Sequence, residues 1–282
     1  MNRRGGALLL LLAASAARLA AGPSPGAPVT DYAQIGALDQ AAGRAALARF
    51  RQAGLPPGYF EFTLRILPRR ADERDLSGRL WVERAADGPV FRLVLSPGAA
   101  DEVRWLIRGG EHPAVWKLDR GGAAQPAPST EPLAPGAIIA PFDLQMPFLS
   151  WPDETLVSVN RKLNRPANTF LFRPPAGFAR ANPSVGSVRA YFDTQFDAPD
   201  EIDVFAPNGE PARTLSVVEL KKIGEAYVPN QLDVRDEATR DKTRLEVTAA
   251  ALDLDLPSSY FQPEGLSGPI GAPAARLQRL GN

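Results

Sequence analysis

The 282-residue sequence offers sparse material for acid–base, nucleophilic or metal chemistry. Its single histidine, His112, precedes Pro113 and reads as a solvated loop residue. One histidine and no cysteine leave a Ser-His-Asp triad, a thiolate nucleophile or a zinc site without enough partners. Adjacent carboxylates occur at Asp72-Glu73, Asp101-Glu102, Asp200-Glu201 and Asp236-Glu237. Each pair falls at a predicted turn, where solvated charge is the ordinary outcome. Asp253 and Asp255 alternate with Leu252, Leu254 and Leu256, the pattern of a one-sided strand. A glycosidase-type pair stays open, because any two strands can bring carboxylates together. The sequence carries no EF-hand loop and no Gly-rich phosphate cradle. No catalytic residue, metal or cofactor is assigned. Lys plus Arg and Asp plus Glu number 32 each, so there is no electrostatic footprint for nucleic acid.

The residues that could act are apolar, and their chemistry is the sheltering of hydrocarbon. In "YFEFTLRIL" (59–67), Phe60, Phe62, Leu64 and Ile66 share one face, with Tyr59, Glu61, Thr63 and Arg65 on the other. The next strands continue that face with Leu80 and Val82, then Phe91, Leu93 and Leu95, then Val103, Trp105 and Ile107. Further strands are predicted at 114–120, 155–163, 168–175, 187–193, 201–223 (a hairpin turned at Asn208-Gly209), 226–237 and 243–256. Spacing stays near 10 to 14 residues with no helix-length pattern between strands, so an antiparallel sheet is expected. A meander of about ten or eleven strands must twist and curl, giving a closed or half-open barrel with an apolar lumen.

Two other elements frame that sheet. "TDYAQIGALDQAAGRAALARFRQAG" predicts an amphipathic helix over roughly 31–53. Thr30 or Asp31 would cap it, and Ile35, Leu38, Ala42, Ala46 and Phe50 would form its apolar stripe. Residues 121–139, rich in Gly, Ala and Pro, read as a long loop. "PFDLQMPFLSWPDE" (141–154) follows. As a helix it carries Phe142, Met146 and Leu149 on one stripe and Leu144, Phe148 and Trp151 on another. Pro147 removes a backbone bond, so this helix should be short and kinked. With long flanking loop to move on, it is placed to lie as a lid over the apolar mouth. Residues 1–21 read as a cleavable secretory signal, with Arg3 and Arg4 ahead of the apolar run Ala7–Ala17 and small residues after it. Residues 22–30 read as a disordered linker, 31–266 as one domain and 267–282 as a flexible tail. With no cysteine to carry a lipid, the mature chain is expected in the periplasm.

The layout resembles the LolA-like proteins, the periplasmic lipoprotein carriers and outer-membrane lipoprotein-sorting proteins. "VRAYFDTQFDAPDEIDVFAPNGEPARTLSVVELKKIGEAYVPNQLDVRDEATRDKTRLEV" (188–247) is similar to the family's run of strands. "LPSSYFQPEGL" (256–266) looks like its tail, and "FDLQMPFLSW" like a segment of sorting-protein relatives. The resemblance implies a mainly β (α+β) fold: an incomplete barrel with an N-terminal helix and a short apolar helical lid on its concave face. It implies a carrier, not an enzyme. The acyl cavity would be lined by Phe60, Phe62, Leu64, Ile66, Leu80, Val82, Phe91, Leu93, Leu95 and Trp105, under a lid of Phe142, Leu144, Met146, Phe148, Leu149 and Trp151. Implied partners are lipoprotein or lipid acyl chains, membrane-bound donor and acceptor proteins and transient membrane contact. A monomer is expected. The resemblance also implies an inward-facing arginine that latches the lid, yet alternation puts Arg65 and Arg79 on the opposite face. Two other classes remain: an envelope module with a filled barrel, and an enzyme on a β-scaffold. A lumen packed by Phe60, Phe62, Phe91 and Trp105 would leave no room for cargo. An open apolar groove of several hundred cubic ångströms would favour the carrier.

Overall fold

The structure, a computed structural model, describes residues 34–53, 56–119, 122–162, 165–195 and 198–280. The expected signal and linker, and the expected caps Thr30 and Asp31, lie outside these residues. Fourteen strands among the described residues form one antiparallel sheet. A first meander comprises β1 (Gly58–Leu67), β2 (Arg74–Ala85), β3 (Gly88–Leu95), β4 (Val103–Arg108), β5 (Ala114–Asp119) and the two-residue β6 (Gln125–Pro126). A second comprises β7 (Asp153–Lys162), β8 (Arg165–Arg173), β9 (Ser187–Asp193), β10 (Ala198–Phe205), β11 (Pro211–Ile223), β12 (Ala226–Asp236) and β13 (Lys242–Leu252). Pairing of β1 with β13 joins the two, and the order runs β6-β5-β4-β3-β2-β1-β13-β12-β11-β10-β9-β8-β7. The edges β6 and β7 do not meet, so the curl stays open. The count exceeds the expected ten or eleven partly through β6 and the two-residue β14 (Gln278–Arg279), which pairs with β13.

Period-two alternation sorts the sheet as the sequence implies. Phe60, Phe62, Leu64 and Ile66 enter the main core on the concave side with Phe91, Leu93, Trp105, Phe170, Phe172, Val188 and Leu215. Close packing of this face has a specific requirement at Gly78. A Cβ there would lie 2.1–2.7 Å from ring atoms of Phe62, so the phenyl ring occupies the space of the missing side chain.

Helix α1 (Gln40–Ala53) starts later than the expected residue 31. The chain before it is extended, with a bridge between Gln34 and Asn160 of β7. Ile35 donates its backbone N–H to Val159 O at 2.8 Å. Asp39 caps the helix instead, its Oδ1 accepting from the backbone N–H groups of Ala41 and Ala42 at 2.9 and 3.0 Å. Ile35 and Leu38, counted into the apolar stripe, are 51% and 49% exposed. Burial falls to Leu47 and to Phe50, whose ring meets Phe192 edge-on at 4.9 Å. The Gln40 side chain bonds both backbone groups of Leu156 on β7, donating to its O at 2.8 Å and accepting from its N at 3.0 Å. The Gln34 side chain accepts from Val159 N at 3.1 Å.

The convex face of the first meander is also apolar. Tyr59, Trp81, Val90, Val94, Leu106 and Leu118 are buried there under Phe261 and Leu266. Residues 267–280, expected as a flexible tail, run back along the protein: Ile270 and Leu277 join this convex cluster, and β14 pairs with Ala249 and Ala250. Arg92, 1% exposed, faces the same side. It donates to the carbonyls of Tyr260 and Gly265 at 3.1 and 2.8 Å, and to those of Leu266 and Gly268.

Candidate ligand-binding face and its plug

All ten expected cavity residues lie on the concave face and belong to one core cluster. Phe62, Leu64, Val82, Leu93, Leu95 and Trp105 are each at most 2% exposed, which leaves their face fully covered. The cover is the chain between β6 and β7. It contains α2 (Pro141–Gln145) and a 3-10 turn, Pro147–Ser150, as the short kinked helix expected from Pro147. Phe142, Phe148 and Trp151 are buried, and Leu144, Met146 and Leu149 pack at the margin of the same cluster. Phe148 lies 5.2 Å from the Phe172 ring and Trp151 4.9 Å from that of Phe178. These six residues pack into and against the concave-face cluster and fill the lumen, so no open apolar groove runs along it.

The preceding stretch corrects one expectation. The loop expected over 121–139 is not a free tether. Leu133 and Ile139 are 1% and 0% exposed and join the core, with Ala134 and Ala137 beside them. Pro- and Ala-rich sequence here supplies an irregular buried strip, so residues 127–152 form a single plug. Its backbone polar groups need partners in the core, and the sheet supplies them. Trp105 Nε1 donates to Leu133 O at 3.1 Å. Ile138 N donates to Thr243 Oγ1 at 2.7 Å, and an Arg74 Nη donates to Pro135 O at 2.7 Å. The Gln145 amide donates to Arg108 O. Met146 ends α2 in the left-handed region at φ 45°, ψ 56°. A non-glycine residue there costs about 1 kcal/mol, and such strain collects where segments must turn or move.

One ion pair was missed from the sequence. Arg213 of β11 points inward in phase with Leu215. Its guanidinium lies 3.2 Å from an Asp143 carboxylate oxygen and stacks 5.0 Å from the Phe142 ring centre. The other Asp143 oxygen accepts from Ala140 N at 2.8 Å. Burial raises the Asp143 pKa above the ordinary aspartate value, against the pull of Arg213 and the Ala140 N–H. Arg213 thus reaches from the sheet to the plug. Arg65 faces outward, with Asp75 and Glu246 each at 3.7 Å. Arg213 was legible only as the odd cation in the concave register of β11.

A cavity of about 380 Å3 opens where the plug crosses the lower ends of β2 to β5. Leu76, Leu95, Val103, Leu133 and Ala134 form its apolar floor and roof. Arg74, Asp101, Lys117, Asp119 and Glu131 stand on its rim. Lys117 lies 3.0 Å from Glu131 and 3.4 Å from Asp119. Among the described residues no group of three or more His, Asp or Glu side chains could hold a metal ion, and no helix is long and apolar enough to cross a membrane.

Known proteins share this architecture. A DUF1329 family protein from Desulfovibrio piger superposes with a TM-score of 0.70 at 15% identity, over 82% of this chain and all of that one (100%). A domain described as an outer membrane lipoprotein-sorting protein, from Vibrio parahaemolyticus, gives 0.68 at 12% identity over 78% of this chain and 96% of that one. A LolA superfamily protein from Nitrosomonas europaea gives 0.62 at 12% identity over 78% and 97%. The chain has the LolA-like fold. A family model described as an uncharacterized protein matches residues 181–268 of it. No curated protein sequence matches the chain. At these identities the LolA-like likeness is one of fold, and the site argument rests on the residues above.

Proposed function

We propose that the protein is a non-catalytic carrier of acyl chains, holding lipidated protein or lipid on the concave face once the plug swings out. One observation carries this reading. The apolar half-barrel is covered by a connecting segment, tied at its margins by side-chain contacts, and not by strands of its own sheet. Burial of five large plug residues (Leu133, Ile139, Phe142, Phe148, Trp151) is worth about 1.5–3 kcal/mol each, so lifting the plug costs on the order of 10 kcal/mol. A cargo that buries roughly a dozen methylenes, at about 0.8 kcal/mol each, offsets that cost. Exchange of plug for acyl chain is then nearly balanced, which suits capture and release without an energy source. The sequence at 1–21 supports export to the periplasm, and residues 31–266 act as a single carrier domain. The fold-level likeness supports a role in outer-membrane lipoprotein sorting, with membrane-bound donor and acceptor proteins as partners.

Native mass spectrometry of the protein purified from an envelope extract tests this. Adducts with the mass of lipid or lipopeptide are expected. A second reading, a ligand-free envelope module, is favoured by the complete burial of the concave face. It prevails if no adduct is found and a synthetic triacylated lipopeptide is not taken up.

A further inference from the structure

We infer that the rim cavity is a separate binding site for one single-chain amphiphile with a zwitterionic headgroup, occupied while the plug stays closed. The inference rests on the carrier reading for its context but uses different residues. The cavity is about 380 Å3, within the range of roughly 300–1,000 Å3 typical of ligand sites. A cavity of this size, open at its rim, suits a single aliphatic chain. Its apolar lining comes from Leu76, Leu95, Val103, Leu133 and Ala134.

The rim selects the headgroup. It presents two cations, Arg74 and Lys117, and three carboxylates, Asp101, Asp119 and Glu131, a balance of −1. Glu131 and Asp119 flank Lys117 at 3.0 and 3.4 Å and neutralise it. Arg74, whose guanidinium spends one donor on Pro135 O at 2.7 Å, is left as the cation that can receive an anionic oxygen. Asp101 stands on the same rim as the counter-charge for an ammonium group. A headgroup bearing both signs meets both, whereas a carboxylate alone meets a rim of net like charge. A phosphocholine-type head on one aliphatic chain fits this rim best.

Isothermal titration of the full chain with dodecylphosphocholine, below its micelle concentration, tests the site against laurate and dodecyl maltoside. Saturable 1:1 binding is expected, tighter than laurate by at least fivefold. Val103→Phe, which fills the cavity, should weaken it tenfold or more. Asp101→Asn alters only rim charge on an exposed side chain, Arg74→Gln also removes the bond to Pro135 O, and each should erase most of the preference over laurate. Arg213→Met, which acts on the plug, should leave dodecylphosphocholine affinity within twofold while changing uptake of the triacylated lipopeptide. Absence of saturable binding, equal binding of laurate, or indifference to Val103→Phe overturns the inference. Lipopeptide uptake that persists in those cases leaves the carrier reading standing.

Discussion

The plug (127–152) and the C-terminal strap (254–280) cover the first meander from opposite sides. Each buries aromatic and aliphatic side chains against β1 to β5, and each lacks long regular structure. Their fastenings differ. The strap is gripped at its backbone: Arg92 and Arg104 reach the carbonyls of residues 260–268. Burial brings the Arg92 pKa down to about 10, helped by the nearby Arg104, so the cation persists at neutral pH and its carbonyl partners offset its desolvation. The plug is held by single contacts to separate strands and by the ion pairs of Lys117 with Glu131 and of Arg213 with Asp143. Spread contacts can be released one after another, while a buried cation on several carbonyls must be released at once. Under the proposed carrier role, the plug is the segment expected to move and the strap the one expected to stay.

The largest effect that could break this contrast lies at Arg92. Replacing it with Met should cost about 3–5 kcal/mol of global stability in urea unfolding, because several strap carbonyls lose their donor inside the protein. A loss under about 1 kcal/mol would mean that the strap is not clasped. Arg213→Met should act more narrowly. Hydrogen exchange of plug amides such as Met146 and Leu133 should speed up about tenfold, equivalent to about 1.4 kcal/mol. Exchange of strap amides should not change. If both segments speed up together, they open as one unit and the comparison fails.

A smaller effect separates two aspartates by sign. Asp143 in the plug has a raised folded-state pKa, so the native state binds its proton more tightly than the unfolded chain. Its contribution is full below the ordinary aspartate value and lost as pH rises through the folded value. Asp233, on the opposite side of the sheet, is pushed up by burial but pulled further down by hydrogen bonds from Arg244 and Lys242. Its contribution is present above the ordinary value and lost as pH falls through the folded one. Asp143→Asn should therefore flatten the decline in stability just above the ordinary value, and Asp233→Asn the acid-side loss. Stability curves against pH for the two variants should shift in opposite directions.

The strands were legible because alternation records which face is wet, and Phe60 to Ile66 keep strict phase. The sticky stretch at 141 was legible as a cover. What lay before it was not: residues 127–139 bury Leu133 and Ile139 without any period, since an irregular strip has no repeat to read. The start of α1 was misplaced for a related reason. Ile35 and Leu38 match helical spacing, but backbone pairing with Val159 competes locally and wins. Arg213 and Arg92 look like ordinary strand cations, and only the packing of distant segments gives them partners. The strap hid in proline- and glycine-rich sequence that reads as loose chain.

The hydrogen bonds that Gln34, Ile35 and Gln40 make along β7 have a consequence for crowded surroundings. A long outer strand with free amides is a template on which another molecule can continue the same sheet. Here several of those amides and carbonyls are already taken by side chains and by the chain's own leading segment. At the other end β6 is two residues long and includes Pro126, which has no amide to offer. Both outer strands of this open sheet therefore offer another molecule fewer backbone groups on which to continue it.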